Sequence, residues 1–361
     1  MAELITSVDK LPPLLRDSVS PGERAFIEGL GAAGRLPFAV TPHFASLARP
    51  EADDPLRRQF IPDPREARSE SGPFALDDPL GESRYRAAPR LVRQYPDRAL
   101  LLAGGACAGY CRHCFRRARL SAAAAFIGGE ELPPILAYLK SRPEVRELLI
   151  SGGDPLTAPD AALEELFTRL RRARPDLALR VCSRVPVTNP ERVGDALTGL
   201  FRRFAPLRVA LHINHPRELS GESRRAFASL TGAGIQVLVQ TVLLKGVNDH
   251  AETLAELFSD CVGLGLSPYY LFQLDLAPGI AHFRLPLRQG LALYRELRGL
   301  WAKIRNRPSG AELPVYAVDL PGGGGKIRLS ENSITGEADR EGGRVCLLKA
   351  PDGKLWEYPA E

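Results

Sequence analysis

The amino-acid sequence predicts an α/β protein built on a parallel sheet that is covered by helices. Between residues 98 and 275, six short apolar segments alternate with stretches whose apolar residues recur every three or four positions. The segments are apolar along most of their length, which is typical of strands buried on both faces. Several of them end in polar residues, and in βα barrels that end of the sheet carries the catalytic groups. Together these observations predict a partial (β/α)6 barrel with its functional groups on one face.

Each element of this barrel follows from its local pattern. The predicted strands are 98–104, 147–152, 177–183, 208–214, 236–244 and 268–275. The clearest predicted helices are 161–173, 192–204 and 289–304. Strands that alternate with helices in this way are expected to pair in parallel, because each helix carries the chain back to the start of the next strand.

The flanking regions divide the chain into three parts. Residues 1–95 are rich in proline and charge, and we expect a helical and extended wrap with one clear helix near 22–33. The partial barrel follows over residues 96–285. Residues 286–361 form a C-terminal segment of short strands and turns after its helix, and they include the glycine run 322–325.

The composition argues against several classes of protein. The chain has 361 residues, which is enough for a large hydrophobic core. Six cysteines, three of them clustered, suit a reducing cytoplasm better than a disulfide framework. The sequence predicts neither a signal peptide nor a membrane span. The net charge of +5 and the aromatic content of 7% do not predict nucleic-acid binding, since basic and aromatic residues are not interleaved.

The most specific motif is a group of three cysteines directly after the first predicted strand. Cys107, Cys111 and Cys114 have the spacing Cys-x3-Cys-x2-Cys. Three thiolates on one loop can bind three irons of a 4Fe–4S cluster and leave the fourth iron open for chemistry. Structural zinc with His113 as a fourth ligand is the main alternative, although such sites usually have paired cysteines. Buried structural thiols are the third interpretation, and packing alone rarely places three cysteines so close together.

This cysteine loop resembles the signature of radical S-adenosylmethionine enzymes, in which the amino and carboxylate groups of the cofactor chelate the open iron. His113 stands where many members of that family carry an aromatic residue. The segment SGGDP at 151–155 resembles the family's contact for the methionine amino group, whereas alone it would indicate a simple turn. The residues that the resemblance implies for cofactor binding are Ser151, Gly152, Gly153, Asp154, His212 and Gln240.

A narrower resemblance runs from about residue 36 to residue 330, which is most of the chain. The motifs that carry it, in order, are YPDRALLL (95–102), CRHCFRR (111–117), HINHPRE (212–218), QTVLLKGVND (240–249), AHFRLP (281–286) and DLPGGGGK (319–326). They resemble the lysine 2,3-aminomutase family, and the chain is similar to its short members, which lack a cysteine-rich zinc-binding extension. Several independent motifs in one order make a chance similarity very improbable.

The resemblance assigns the cofactor lysine to Lys326, which would form a Schiff base with pyridoxal 5′-phosphate. A lysine on a flexible glycine loop suits a bond that must form and break in every cycle. The letters GGGGK are not a phosphate-binding P-loop, because Leu320 stands at the required first glycine and Ile327 follows the lysine. Without the resemblance, a turn with a solvated lysine would be the better interpretation.

Substrate binding is also implied by matched positions. Arg116 matches the residue that binds the substrate carboxylate through a two-pronged guanidinium contact. Asp275 and Asp319 match the two carboxylates that bind the distal ammonium of lysine. The neighbouring Arg117 and Arg119 are expected to form a solvated basic face.

The implied reaction moves the α-amino group of L-lysine to the β-carbon and gives β-lysine. The implied cofactors are a 4Fe–4S cluster, S-adenosyl-L-methionine and pyridoxal 5′-phosphate. An electron donor such as a flavodoxin or ferredoxin would reduce the cluster, and we expect a homodimer in the cytoplasm. Gln94 departs from the family, which usually has a basic residue there near the cofactor phosphate, so phosphate binding would depend on Arg98 or other residues.

Three alternatives stay open from the sequence. The product could supply β-lysine for the modification of elongation factor P, which would leave the reaction unchanged. The enzyme could act on another amino acid such as glutamate, although paired aspartates do not favour that substrate. A non-catalytic iron–sulfur or RNA-associated protein is the interpretation that the motifs support least.

Overall fold

The computed structural model describes residues 3–69, 74–120, 125–304, 310–350 and 352–361. Its centre is a ten-stranded sheet whose strands are ordered as they occur in the chain. The strands are β1 (Arg86–Ala88), β2 (Leu91–Tyr95), β3 (Arg98–Gly104), β4 (Glu147–Gly152), β5 (Ala178–Ser183), β6 (Leu207–His212), β7 (Gln236–Val242), β8 (Ser267–Phe272), β9 (Val315–Leu320) and β10 (Gly325–Arg328). From β3 to β9 all neighbours are parallel, whereas β1, β2 and β10 pair antiparallel at the edges.

The predicted α/β class and the six predicted parallel strands are confirmed. Three of the strands end two or three residues earlier than predicted, at His212, Val242 and Phe272. The first residues after these ends, Ile213, Leu243 and Gln273, each donate one more backbone hydrogen bond to the neighbouring strand, and the chain then leaves the sheet. The parallel sheet also has a seventh member, β9, in the C-terminal region where only short strands and turns were expected.

Helices cover the sheet between its strands. The helices are α1 (Pro13–Asp17), α2 (Pro21–Gly29), α3 (Pro42–Ser46), α4 (Arg65–Ser69), α5 (Leu132–Lys140), α6 (Asp160–Ala173), α7 (Val185–Thr188), α8 (Asp195–Arg203), α9 (Gly221–Gly232), α10 (Ala251–Gly263) and α11 (Leu287–Lys303). The side of α6 that faces the sheet carries fully buried residues at helical spacing, including Leu163, Phe167 and Leu170. Strand residues such as Leu148 and Val181 belong to the same buried core, because helices cover the parallel sheet. No described helix has the combined length and hydropathy that a bilayer span requires.

The sheet curves until its two edges approach each other. The hydroxyl of Tyr95 at the end of β2 accepts a hydrogen bond from the backbone N–H of Lys326 in β10, at 2.9 Å. This contact joins β2, the second strand from one edge, to β10 at the other edge. The curvature brings side chains from the first and the last strands to one interior.

A second, three-stranded sheet follows the large one and packs beside the last edge. It consists of β11 (Ile334–Arg340), β12 (Gly343–Lys349) and β13 (Leu355–Pro359). Tyr358 of β13 is fully buried, and its hydroxyl donates to the carbonyl of Leu274 at 2.5 Å. The end of the chain therefore supports the loop that follows β8.

Candidate active site

The three cysteines of the motif lie on the loop that follows β3, and the N-terminal wrap holds that loop from outside. The backbone N–H of Tyr110 donates to the carbonyl of Ala39 at 2.8 Å. The backbone N–H of Arg112 donates to the carbonyl of Gln59 at 2.9 Å. The loop is therefore fixed by two separate points of the wrap, both through backbone groups.

A buried ion cluster strengthens this attachment. Glu66 of α4 is fully buried and receives Arg112 through two contacts of 2.6 and 2.8 Å. Arg117 reaches the same carboxylate at 2.6 Å. Burial opposes the charge of Glu66, but the two guanidinium groups outweigh it and lower the pKa of the carboxyl. The predicted solvated face is therefore wrong for Arg117, which is buried against Glu66, and the side chain of Arg119 lies outside the described residues.

All six cysteines of the chain are free thiols. Burial is the main reason that the pKa of Cys107 is raised well above its usual value, and the other cysteines add to the effect. Burial and the neighbouring Cys111 likewise raise the pKa of Cys114 to about 11. Three thiolates in this position thus need a positive partner, and iron would provide it.

The arrangement of the thiols distinguishes a cluster from a single ion. Among the described residues, no group of three or more His, Cys, Asp or Glu side chains converges so as to hold one metal ion. A mononuclear zinc site requires such convergence on a single point. In a 4Fe–4S cluster each cysteine binds a different iron, so the three sulfurs surround the cluster instead of meeting at one point. Three thiols close together on one loop are a donor set that fits such a cluster.

The segment that follows β4 packs directly on the cysteine loop. The backbone N–H of Gly153 donates to the carbonyl of Gly104 at 2.7 Å. A Cβ atom on Gly152 would lie 2.3 Å from the carbonyl oxygen of Gly104, and one on Gly153 would lie 2.3 Å from that of Ala106. The two glycines are therefore required for the close contact between this segment and the cysteine loop.

The carboxylate of Asp154 is already engaged in hydrogen bonds with other groups of the protein. Its carboxylate accepts the hydroxyl of Ser183 at 2.7 Å and the backbone N–H groups of Leu156, Arg184 and Val185 at 3.0, 2.7 and 3.1 Å. These bonds join the end of β4 to the end of β5 and the start of α7. The geometry gives Asp154 an organising role, so an ammonium group at this place would be bound mainly by Ser151 or by backbone carbonyls.

Arg116 projects from the cysteine loop toward the interior of the curved sheet. Its Nη2 and Nε atoms contact Oε1 of Glu82 at 2.6 and 3.1 Å. Its Nη1 atom lies 3.2 Å from the hydroxyl of Ser151. The structure thus joins two predicted site residues and adds Glu82, which no sequence motif indicated because it lies in the proline-rich wrap.

Lys326 and Asp319 form an ion pair across the antiparallel β9–β10 ladder. They stand opposite each other in register, and Nζ lies 2.6 Å from Oδ2. The ammonium also lies over the ring of Phe272, 4.0 Å from its centroid, and 5.1 Å from that of Tyr270. A lysine between a carboxylate and two flat rings fits the binding of an aromatic aldehyde such as pyridoxal phosphate.

The turn before Lys326 is fixed by contacts with side chains from other segments, in contrast to the flexible loop expected from its glycines. The carbonyl of Gly323 accepts the hydroxyl of Tyr85 at 2.7 Å and the amide of Gln94 at 3.1 Å. Gly324 is so enclosed that a Cβ atom would lie 2.6 Å from the indole of Trp356. The glycines therefore allow a tight turn with positive φ at Gly323 (99°), and only the lysine side chain is left to move.

Asp275 follows β8 and completes a group of interacting charges. Its pKa is raised to about 8, first by burial and then by the charge of Asp319. Lys326 and Arg116 act in the opposite direction. The two predicted ammonium-binding carboxylates thus influence each other in the interior, and a cation between them would stabilise both as anions.

The remaining predicted residues lie at the ends of β6 and β7. His212 contacts the side chain of Asn214 at 3.0 Å, and its ring centroid lies 5.4 Å from that of His113. Burial and the neighbouring Arg184 lower the pKa of His212 to about 3, so the ring is neutral. Gln240 pairs with His212 across the strands. These groups form a neutral, polar wall beside the cysteine loop.

Comparison with known proteins gives three informative relatives. A protein of Treponema pallidum, provisionally named L-lysine 2,3-aminomutase, is 42% identical over 335 residues, which are 91% of this chain and 91% of that protein. L-Lysine 2,3-aminomutase of Clostridium subterminale is 36% identical over 324 residues, 90% of this chain and 75% of the enzyme. Glutamate 2,3-aminomutase of Clostridioides difficile is 30% identical over 356 residues, 98% of this chain and 80% of that enzyme.

Two further comparisons add little. No family model matches the chain. Among solved structures, SuiB of Streptococcus suis bound to its precursor peptide SuiA is similar with a TM-score of 0.47 and 11% identity, over 63% of this chain and 49% of that one. A likeness at this level carries no argument about the chemistry.

The relatives are aminomutases that match nearly the whole chain, so the protein is an enzyme of the isomerase class. It belongs to the lysine 2,3-aminomutase family. The family resemblance inferred from the motifs is thereby confirmed. The identity of the amino acid and the roles of single residues are questions for the geometry of the site.

Proposed function

We propose that this enzyme is an L-lysine 2,3-aminomutase that converts L-lysine into β-lysine. The observation that carries the proposal is that one ammonium group in the interior forms an ion pair with Asp319 and also interacts electrostatically with the nearby Asp275. In this structure the ammonium is that of Lys326, 2.6 Å from Asp319. If the substrate were glutamate, its side-chain carboxylate would lie at this place and would be repelled by the negative charge of the aspartates.

The cofactor assignments rest on separate parts of the site. Cys107, Cys111 and Cys114 would bind the 4Fe–4S cluster, and the segment 151–153 with Gln240 and His212 would face S-adenosyl-L-methionine. Lys326 would bind pyridoxal 5′-phosphate. When bound, these groups supply the hydrogen abstraction and the migration of nitrogen, and the protein supplies position and exclusion of water.

Substrate binding requires the charged residues to exchange partners. Arg116 would bind the substrate carboxylate, and it would have to release or share Glu82, which now occupies two of its nitrogens. Asp319 would have to release Lys326, 2.6 Å away, before it could bind the substrate ammonium. The pocket is therefore already neutralised without substrate, and binding substitutes one set of ion pairs for another.

We infer that the phosphate of the cofactor would be bound differently from what is expected for the family. The side-chain amide of Gln94 is used on the carbonyl of Gly323 and supports the glycine turn. Arg98 is the basic residue that we propose for binding the phosphate. Its guanidinium lies 5.7 Å from the ring centroid of Tyr95, and the hydroxyl of Tyr95 accepts a hydrogen bond from the backbone N–H of Lys326. Its ion pair with Asp97, at 2.8 Å, would then rearrange.

The surroundings of the enzyme follow from this chemistry. Reduction of the cluster requires an electron donor, which we assign to the flavodoxin or ferredoxin class. Free thiols and an oxygen-sensitive cluster suit a reducing cytoplasm. We expect a homodimer, and light scattering that gives a stable tetramer in dilute protein would contradict this.

The proposal is tested by anaerobic reconstitution followed by incubation with S-adenosylmethionine and one amino acid at a time. L-Lysine should be converted far better than L-glutamate or L-alanine, with conversion measured by chromatography of the products. Equal turnover of glutamate would favour the second candidate, a glutamate aminomutase, for which the relative of Clostridioides difficile is the precedent.

The lysine assignment has its own test. Borohydride reduction of protein loaded with pyridoxal phosphate, followed by peptide mapping, should place the label on Lys326. Lys245 and Lys303 serve as internal controls, and a label on either of them would refute the assignment.

A further inference from the structure

The guanidinium of Arg184 lies against one of the three motif cysteines. Arg184 follows β5 and is buried, with 8% of its surface exposed. Its Nη1 atom lies 2.8 Å from the sulfur of Cys111. The sequence marked Arg184 only as a polar residue at a strand end, and the proposed reaction gives it no role.

The other half of this guanidinium is held by two fully buried side chains. Its Nη2 atom lies 2.5 Å from Oε1 of Gln59 and 3.1 Å from Oε2 of Glu218. Gln59 in turn donates to Oε1 of Glu218 at 2.9 Å. Arg184 therefore cannot turn away from the sulfur without losing its partners, and Cys111, Arg184 and Glu218 form a connected row of groups.

A purely structural role would explain only part of this arrangement. An arginine that joined the wrap, β5 and the segment after β6 could direct all its nitrogens at oxygen atoms, as Arg174 does with its four backbone carbonyls and Asp176. Arg184 instead directs one nitrogen at a sulfur. A cation in that position interacts most favourably with a thiolate, which is the form of cysteine that binds iron.

We propose that Arg184, supported by Glu218, sets the reduction potential of the iron–sulfur cluster, an inference that rests on the cluster assignment in the proposed function. Cluster reduction adds one electron and one negative charge, with no bond made or broken in the protein. Hydrogen bonds to the ligand sulfurs and nearby net charge determine such potentials. Arg184 favours the reduced state, and Glu218 moderates that effect because its charge has the opposite sign. Arg184 is thus a positioning residue that acts through Cys111.

The test is a potentiometric titration of the reconstituted protein, monitored by electron paramagnetic resonance, without S-adenosylmethionine or substrate. The variants are Arg184→Met, Arg184→Lys and Glu218→Gln, each assayed for iron and sulfide first. The midpoint potential should become more negative in Arg184→Met, change less in Arg184→Lys and become more positive in Glu218→Gln. Shifts of the midpoint potential in opposite directions at two buried residues that contact each other are not expected if the substitutions only damage the fold.

Arg174→Met is the matched control, since Arg174 is buried to a similar degree (7% exposed) and ion-paired at the end of α6. It should lower the melting temperature and leave the potential unchanged. If Arg184→Met does not assemble a cluster, the midpoint potential of Glu218→Gln alone tests the proposal. An unchanged or more negative potential in that variant overturns it. Intact clusters with equal potentials in all variants overturn it as well. A wild-type protein that takes up no iron would instead refute the cluster itself.

Discussion

The cysteine loop and the lysine turn bear the two proposed reactive centres, and they are stabilised in different ways. At the cysteine loop, Arg112 and Arg117 bind Glu66, a residue with no proposed part in the reaction, and all three are buried. At the lysine turn, Lys326 binds Asp319, which is itself a proposed substrate contact and is partly exposed. The first arrangement suits a permanent support, and the second suits groups that change partners during turnover.

Loss of a cluster ligand should have the largest effect. Cys111→Ser should abolish the 4Fe–4S cluster and all turnover, because two remaining thiolates cannot hold three irons. Iron analysis and electron paramagnetic resonance of the anaerobic protein measure this. Cys261→Ala, in the buried face of α10, should keep its iron, and iron uptake by Cys111→Ser would show that the motif is not the ligand set.

Disruption of the permanent support should appear in folding. Glu66→Gln leaves two buried guanidinium groups without their anion, so the free energy of unfolding should fall by about 3–5 kcal/mol. Denaturant unfolding of the cofactor-free protein measures it. A matched change in an exposed pair, Glu331→Gln opposite Arg295, should cost less than about 0.5 kcal/mol. Equal losses in the two variants would remove the distinction between buried and exposed ion pairs.

Disruption of the exchangeable pair should appear in catalysis instead. Asp319→Ala should reduce kcat/KM for lysine by about 3 kcal/mol of transition-state stabilisation, roughly a hundredfold, while stability changes little. Asp275→Ala should behave similarly, and Arg116→Lys should also lose activity because an ammonium cannot form the two-pronged contact. Steady-state turnover with lysine checks all three. Wild-type rates in both aspartate variants would mean that the ammonium is bound elsewhere.

A smaller effect is expected where the glycine turn meets the C-terminal sheet. Gly324→Ala should destabilise the protein by about 1–3 kcal/mol, because the new methyl group would overlap Trp356 and Leu320. Gly299→Ala, in α11 with open space around it, should stabilise by about 0.5–1 kcal/mol. Thermal unfolding of both variants measures the contrast, and equal melting temperatures would indicate that the turn is looser than described.

The last prediction concerns the dependence of stability on pH. Because the pKa of Asp275 is raised to about 8, the folded protein holds a proton between about pH 4 and pH 8 that the unfolded chain releases. The stabilising contribution is complete below about pH 4 and is lost as pH rises toward 8. Asp275→Asn should flatten this part of the profile of unfolding free energy against pH in cofactor-free protein. An unchanged slope would assign the effect to another group.

The sequence predicted those parts of the molecule that have local patterns. The strands β3 to β8 were found because apolar runs recur between turns, and Cys107, Cys111, Cys114 and Lys326 were singled out by short motifs. Their assigned roles stay predictions, although the structure places them around one interior.

The parts that were missed depend on contacts between distant segments. Glu66 and Arg117 are 51 positions apart, and Gln59 and Arg184 are 125 apart, so neither pair leaves a periodic signal. Arg117 was expected in solvent for that reason. The glycine run was expected to be flexible because its letters do not reveal Tyr85, Gln94 and Trp356, which enclose it in the folded chain.

The indole of Trp356 has an optical consequence. The chain has two tryptophans, and only Trp356 packs on the turn two residues before Lys326, since Trp301 lies in α11. Pyridoxal phosphate is a chromophore, and when attached to Lys326 it would lie close enough to accept excitation energy from the indole of Trp356. In a Trp301→Phe background, intrinsic fluorescence would then report occupancy of the lysine continuously, in a sample that needs no added dye.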